Sequence, residues 1–191
     1  MNPINPIMKI LTYPSPTLSQ VAQNVKVPLS SSDLDLVKNM WQTVQGIGVG
    51  LAAPQVGASL QIFIVRLSQD KDLAKKLKES DFIVINPKIT FYSQNKVSMI
   101  EGCLSFPSEY WDIVRPEIIQ LEYDTIKNLK EVITKDAKPV YQKSKKLLAK
   151  GWLSRVIQHE YDHLLGKVFI KAGGKKLSKK DLANLEDAII D

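Results

Sequence analysis

The spacing of apolar positions changes along the chain, and each change marks out an element. Leu34, Val37, Met40, Trp41 and Val44 recur every three or four residues, which puts them on one face of a helix. Ser30, Ser31 and Ser32 offer N-caps ahead of it, and the glycines at 46, 48 and 50 end it, so a helix is predicted over about residues 33–45. The run LQIFIVRL at 60–67 is rich in β-branched and large apolar residues, the pattern of a strand. Residues 68–80 are highly charged and predict a surface loop with a short helix. Shorter β-prone runs follow at 82–86, 88–92, 96–100, 117–123 and 129–134. Turn signals at Asn86-Pro87, Gln94-Asn95 and 126–128 separate them, which suggests antiparallel hairpins. Residues 145–149 read as one more strand, broken by Gly151. The helical period returns over 152–165 and stops at Gly166. Ser178 and Asp181 form a capping-box pattern, with Asp in place of Glu, at the start of a last helix over 178–191. Strands in the middle with few, segregated helices predict an α+β fold.

Composition adds bounds rather than a function. At 191 residues, with 44% hydrophobic and 24% charged positions, one domain over residues 1–191 is expected. No apolar run approaches the roughly 20 residues needed to cross a bilayer. The first 16 residues lack the apolar block of a signal peptide, so a cytoplasmic location without membrane contact is the default expectation. The net charge is +6, with lysines clustered at 143–150 and 171–180. Such clusters suit a solvated surface or contact with a polyanion such as RNA, and no nucleic-acid-binding motif accompanies them. One cysteine and two histidines leave little choice of metal ligands.

Both histidines fall in Gln158-His-Glu-Tyr-Asp-His163, an H-E-x-x-H pattern inside the predicted helix. Positions i and i+4 share a helical face, so His159 and His163 can reach one metal ion, with Glu160 beside it as a base. The apolar flanks Leu153, Val156, Ile157, Leu164 and Leu165 predict a buried helix, where each unpaired polar group costs roughly 2–7 kcal/mol. A catalytic site of this kind needs a third protein ligand. The place of a third histidine in the three-histidine proteases is taken by Phe169. Glu186 on the last helix and Cys103 in EGCLSFP remain as candidates. A thiolate suits zinc or iron, and a His2Cys set also serves copper in electron transfer. A glutamate between the ligands favours hydrolysis. The loop GVGLAA at 48–53 fits a dinucleotide fingerprint only formally, because it follows a helix and precedes a strand. Its glycines suit close backbone approach to a ligand, and Gln55 offers an amide donor for an oxyanion.

Taken together, GVGLAAPQ (48–55), EGCLS (101–105) and QHEYDHLLG (158–166) resemble, in order and spacing, the three signature motifs of the peptide deformylase family. The resemblance implies antiparallel sheets packed around a central helix that carries H-E-x-x-H, with N- and C-terminal helices. It implies removal of the formyl group from the N-terminal formyl-methionine of nascent chains. Cys103, His159 and His163 would bind one divalent metal, Fe²⁺ in many members, with Ni²⁺, Co²⁺ or Zn²⁺ as substitutes. Glu160 would be the base, and Gln55 with the Leu104 N–H would stabilise the oxyanion. Val49, Gly50 and Gly102 would hold the peptide backbone, and Met99, Tyr110, Trp152, Arg155 and Val156 would line or flank the methionine pocket. Glu101 and Asp162 would support the ligands. Relatives dock on the ribosome through a basic C-terminal helix; here that segment is basic only through Lys180. A monomer is expected. The competing readings are an endopeptidase with Glu186 as third ligand and a non-catalytic, ribosome-binding relative.

Overall fold

A computed structural model describes residues 8–67, 81–171, 173–178 and 180–182. Its centre is set by strands too apolar to face water on either side. Strand β2 (Ile62–Arg66) is buried at every position. Ile62 and Ile64 point to one face of its sheet, Phe63 and Val65 to the other, as the two-residue period of a strand requires. The sheet contains β1 (Gly50–Ala52), β2, β3 (Asp81–Tyr92), β6 (Ile118–Ile126) and β7 (Tyr141–Lys150), antiparallel and in the order β1-β2-β3-β6-β7. A smaller antiparallel sheet has the order β4-β5-β8, with β4 at Lys96–Cys103, β5 at Phe106–Pro116 and β8 at Lys175–Lys176.

Helix α1 (Ser31–Val44) lies on one face of the five-stranded sheet. Val37, Met40 and Val44 pack there on Ile62, Ile64, Ile83 and Ile85, each buried side chain contributing about 1.5–3 kcal/mol. Ser30 caps it by accepting from the Asp33 N–H at 3.1 Å. Helix α3 (Gly151–Leu164) covers the opposite face through Leu153, Val156, Ile157 and Leu164. It stops where Gly166 takes φ 66°, and a side chain there would fall 2.8 Å from the Ser19 and Gln20 backbone. The α+β architecture around a central H-E-x-x-H helix is therefore as expected.

Four elements differ from the sequence reading. Residues 129–134, expected as a strand, belong to helix α2 (Leu129–Lys135). Leu129 and Val132 have helical spacing and bury beside α1, so the three-residue period prevails over β propensity. The turn expected at Asn86-Pro87 is an irregularity inside one long β3. Asn86 takes φ 49° there, and its side-chain amide bonds Val25 N at 2.9 Å and Val25 O at 2.8 Å. Strand β5 gave no clear signal, because Pro107, Ser108 and three charges interrupt its alternation. Strand β7 starts four residues earlier than expected, at Tyr141. Ser178 and Asp181 do form the reciprocal cap, at 2.8 and 3.2 Å. The loop expected at 68–80 and most of the last helix lie outside the described residues.

Candidate active site

Helix α3 carries polar side chains on a face that the fold buries. Arg155, His159 and His163 follow at four-residue steps, 5%, 9% and 1% exposed, and Glu160 is 5% exposed. Opposite them, the inner face of β4 presents Glu101 and Cys103 two residues apart, as strand geometry dictates. Cys103 Sγ lies 3.3 Å from His163 Nε2, and the donor atoms of Cys103, His159 and His163 are all within 4.8 Å of one another. His159 bonds Glu101 Oε2 through Nδ1 at 2.8 Å, which leaves Nε2 as the available donor.

The electrostatics of this cluster favour a cation. Burial alone would lower the His159 pKa, yet the charge and hydrogen bond of Cys103, the hydrogen bond of Glu101 and the charge of Glu160 raise it well above the usual range. A site that draws a proton onto a buried imidazole is one whose field suits a positive ion. His163 is held well below the usual range by burial and by His159, so its imidazole is neutral and able to ligate. Its Nδ1 has no hydrogen-bond partner among the described residues.

Beside these donors, Glu160 Oε2 is buried without a partner among the described residues. Burial pushes this carboxyl up to about 7; His159 acts to lower it and Glu101 to raise it further. Gly50 on β1 makes room for it, since a Cβ there would lie 2.3 Å from Glu160 Oε1. Gln55 follows in a short 3-10 turn (Ala53–Val56). Its Oε1 accepts from the Ala52 N–H at 2.8 Å, which fixes the amide and turns Nε2 toward Ser105 Oγ at 3.3 Å and Cys103 Sγ at 3.6 Å. A cavity of about 430 Å³ opens onto the cluster, with Val49, Gly50, Gln55, Gly102, Cys103, Leu104, Tyr110, Trp152, Arg155, Val156, His159 and Glu160 in its lining.

The sequence matches the polypeptide deformylase family over residues 7–179. The chain belongs to that family. A peptide deformylase of Synechocystis sp. is 35% identical over 163 residues, covering 85% of this chain and 73% of that one. The crystal structure of peptide deformylase from Ehrlichia chaffeensis is 34% identical, with TM-score 0.68, over 96% of this chain and 95% of that one. A class I type b peptide deformylase from Acinetobacter baumannii, solved with Met-Ala-Ser bound, is 26% identical with TM-score 0.69, over 88% and 99%.

Within this deformylase fold most of the sequence-derived site residues converge, and two do so differently. Met99 does not line the cavity; it shares the inner face of β4 with Glu101, and its neighbour Ile100, 44% exposed, lines the cavity instead. Asp162 touches no ligand directly. It accepts from Arg115 Nη1 at 2.6 Å, and Arg115 in turn grips Glu101 through Nε at 2.7 Å and Nη2 at 3.0 Å. Arg115 is the residue that sequence reasoning missed. Its signal was a lone cation within the apolar run from Ile113 to Ile119. Glu186 lies outside the described residues.

Burial would raise the Glu101 pKa, but hydrogen bonds from His159 and Arg115 and the charge of Arg115 lower it far below the ordinary 4.5. A depressed carboxylate stabilises the fold above its unfolded pKa, and that stability is lost as pH falls toward the folded value. Replacing Arg115 with Met removes two of the four hydrogen bonds to the buried Glu101 carboxylate and should cost about 3–5 kcal/mol at pH 7. The gap between wild type and Arg115→Met, read by urea unfolding, should narrow as pH falls through the variant's own Glu101 pKa, which loss of Arg115 raises. A gap that is constant from pH 7 to pH 4 would show that Glu101 is not the partner responsible.

Proposed function

We infer that Cys103, His159 and His163 hold one divalent metal ion and that Glu160 moves the proton when an amide is hydrolysed in the adjoining cavity. The reaction is that of a peptide deformylase: removal of the N-formyl group from the N-terminal formyl-methionine of nascent polypeptides, with release of formate. One observation carries this reading, namely three soft and borderline donors converging beside a buried carboxylate whose Oε2 has no partner among the described residues. The donor set fits the metal, since a thiolate and two imidazoles suit Fe²⁺ or Zn²⁺, and the field around His159 favours a cation. When bound, the metal supplies a Lewis acid that polarises the formyl carbonyl and acidifies water.

The chain's own residues supply the remainder. Glu160 takes a proton from the attacking water and delivers one to the departing amine. Gln55 Nε2, oriented because Gln55 Oε1 accepts from the Ala52 N–H, and the Leu104 N–H donate to the oxygen that gains charge. Val49, Gly50 and Gly102 hold the peptide extended beside β1 and β4, and Trp152, Arg155, Val156 and Tyr110 surround its first side chain. Gln55→Leu should lower kcat by about 10²–10³-fold with a smaller change in KM; an equal loss in both would point to substrate binding instead. Glu101, with Arg115 and Asp162 behind it, sets the orientation of His159.

Fe²⁺ is the proposed native ion, with Ni²⁺, Co²⁺ or Zn²⁺ able to replace it. With iron, activity should decay in air faster than with Ni²⁺. A monomer acting in the cytoplasm is part of this proposal. The lysines of 171–180 offer contact with ribosomal RNA, a contact that deleting residues 178–191 should weaken in ribosome co-sedimentation. The converging thiolate favours this reading over an endopeptidase that would use Glu186. Anaerobic protein loaded with Fe²⁺ or Ni²⁺ should release formate from formyl-Met-Ala-Ser, and no release from either form would overturn the assignment.

A further inference from the structure

Arg155 is an unusual wall for a pocket that takes an apolar side chain. It stands one helical turn before His159, between Trp152 and Val156, and all three line the cavity. Its guanidinium is tied down by Glu101 Oε1 and Ile113 O on Nη1, both at 2.7 Å, and by Val97 O on Nη2 at 2.6 Å. A guanidinium has five N–H groups, so Nε–H and one Nη2–H have no protein partner among the described residues. Glu101 cannot serve them, because it already accepts from Arg115 twice, from Arg155 and from His159. Two guanidiniums share that one carboxylate, and Asp162 is bonded to Arg115.

The cavity wall is otherwise apolar here, with Val49, Ile100, Trp152 and Val156. A rigid, buried cation with donors to spare rewards a ligand that brings an acceptor to it, and an all-carbon ligand leaves the donors unpaired. An anionic side chain is disfavoured, since Glu160 and Glu101 line the same cavity. A neutral acceptor at the end of an unbranched apolar stem remains. A thioether is a weak acceptor, whereas a sulfoxide oxygen is a strong one.

Building on the deformylase reading, we propose that Arg155 makes the first-side-chain pocket selective for a terminal neutral hydrogen-bond acceptor, so that chains beginning with formyl-methionine sulfoxide are substrates. The test compares formyl-Met-Ala-Ser with its methionine-sulfoxide and norleucine counterparts on the metal-loaded enzyme. The sulfoxide peptide should exceed the norleucine peptide in kcat/KM by about 10-fold, the value of one hydrogen bond to a charged group. Arg155→Leu should bring that ratio to one or below, and Arg155→Lys should keep part of it. Calorimetry on the wild-type protein with the unformylated sulfoxide and norleucine tripeptides needs neither turnover nor a variant, and the sulfoxide should bind about 10-fold tighter. Norleucine equal to or better than sulfoxide in both wild-type comparisons overturns the proposal. Failure to turn over any formyl peptide, with sulfoxide still the tighter ligand, would instead overturn the deformylase reading and leave the pocket assignment standing.

Discussion

Glu160→Gln should lower kcat by about 10²–10⁴-fold while metal content stays at the wild-type level, the range expected when a positioned proton-transfer group is removed. Glutamine keeps the shape that fits against Gly50, where a Cβ would already collide with the Glu160 carboxyl, so the pocket should not rearrange. It also removes a buried charge whose Oε2 has no partner among the described residues, so the melting temperature should hold or rise. Loss of activity without loss of metal or stability separates a chemical role from a structural one. The ionised carboxylate is the base, and burial raises its pKa to about 7; kcat/KM should therefore climb with pH until the group is ionised and then level off. A bound cation favours ionisation and moves this limb to lower pH. In Glu160→Gln the limb should vanish. A variant that keeps a tenth of wild-type activity, or keeps the limb, would remove Glu160 from the base position.

Cys103→Ser should weaken metal binding by more than about 100-fold, since losing even a partner behind a ligand costs 10–100-fold and this change removes a ligand itself. Cys103 Sγ sits 3.3 Å from His163 Nε2 and 3.6 Å from Gln55 Nε2, so the substitution is confined to the cluster and shortens one side chain only slightly. Glu186→Gln is the matched control and should keep a full complement of metal. The two variants, measured by elemental analysis after dialysis, discriminate the deformylase arrangement from an endopeptidase one. Full metal in Cys103→Ser with depletion in Glu186→Gln would favour the endopeptidase.

The metal-binding half of the site was legible because its determinants are local. H-E-x-x-H needs only the helical period to bring His159, Glu160 and His163 together, and the apolar flanks already say that the helix is buried. The proposed third ligand was legible through scarcity and resemblance: the chain has one cysteine and no third histidine, and EGCLS matched a known motif. What could not be read is how charges are paired. Arg115 lies 14 residues from Glu101 and 47 from Asp162, so only the β4–β5 hairpin and its packing on α3 make the three a unit.

The same division explains the secondary-structure differences. Segment 129–134 is short, and six residues cannot separate a half-buried strand from two turns of helix until something covers Leu129 and Val132. Strand β5 looks irregular because its polar positions have partners that the sequence does not display: Arg115 binds Glu101, and Trp111 Nε1 donates to Glu109 at 3.2 Å. Met99 was assigned to the pocket by its position, yet the four residues that follow it on β4, Ile100 to Cys103, line the cavity and Met99 does not.

By itself, then, the sequence determined the helix that carries His159 and His163 and the α+β class, because each follows from a short-range period, while the proposal of Cys103 as third donor came from the resemblance of EGCLS to a family motif. The tertiary structure alone decided which donors face the cavity and with what charge. It set the Gln55 amide through the Ala52 N–H, left Glu160 Oε2 buried without a partner among the described residues, and fixed the Arg155 guanidinium on Glu101, Val97 and Ile113 at the cavity wall. Those outcomes depend on contacts between segments far apart in the chain, and burial and hydrogen-bond geometry exist only once the segments have packed.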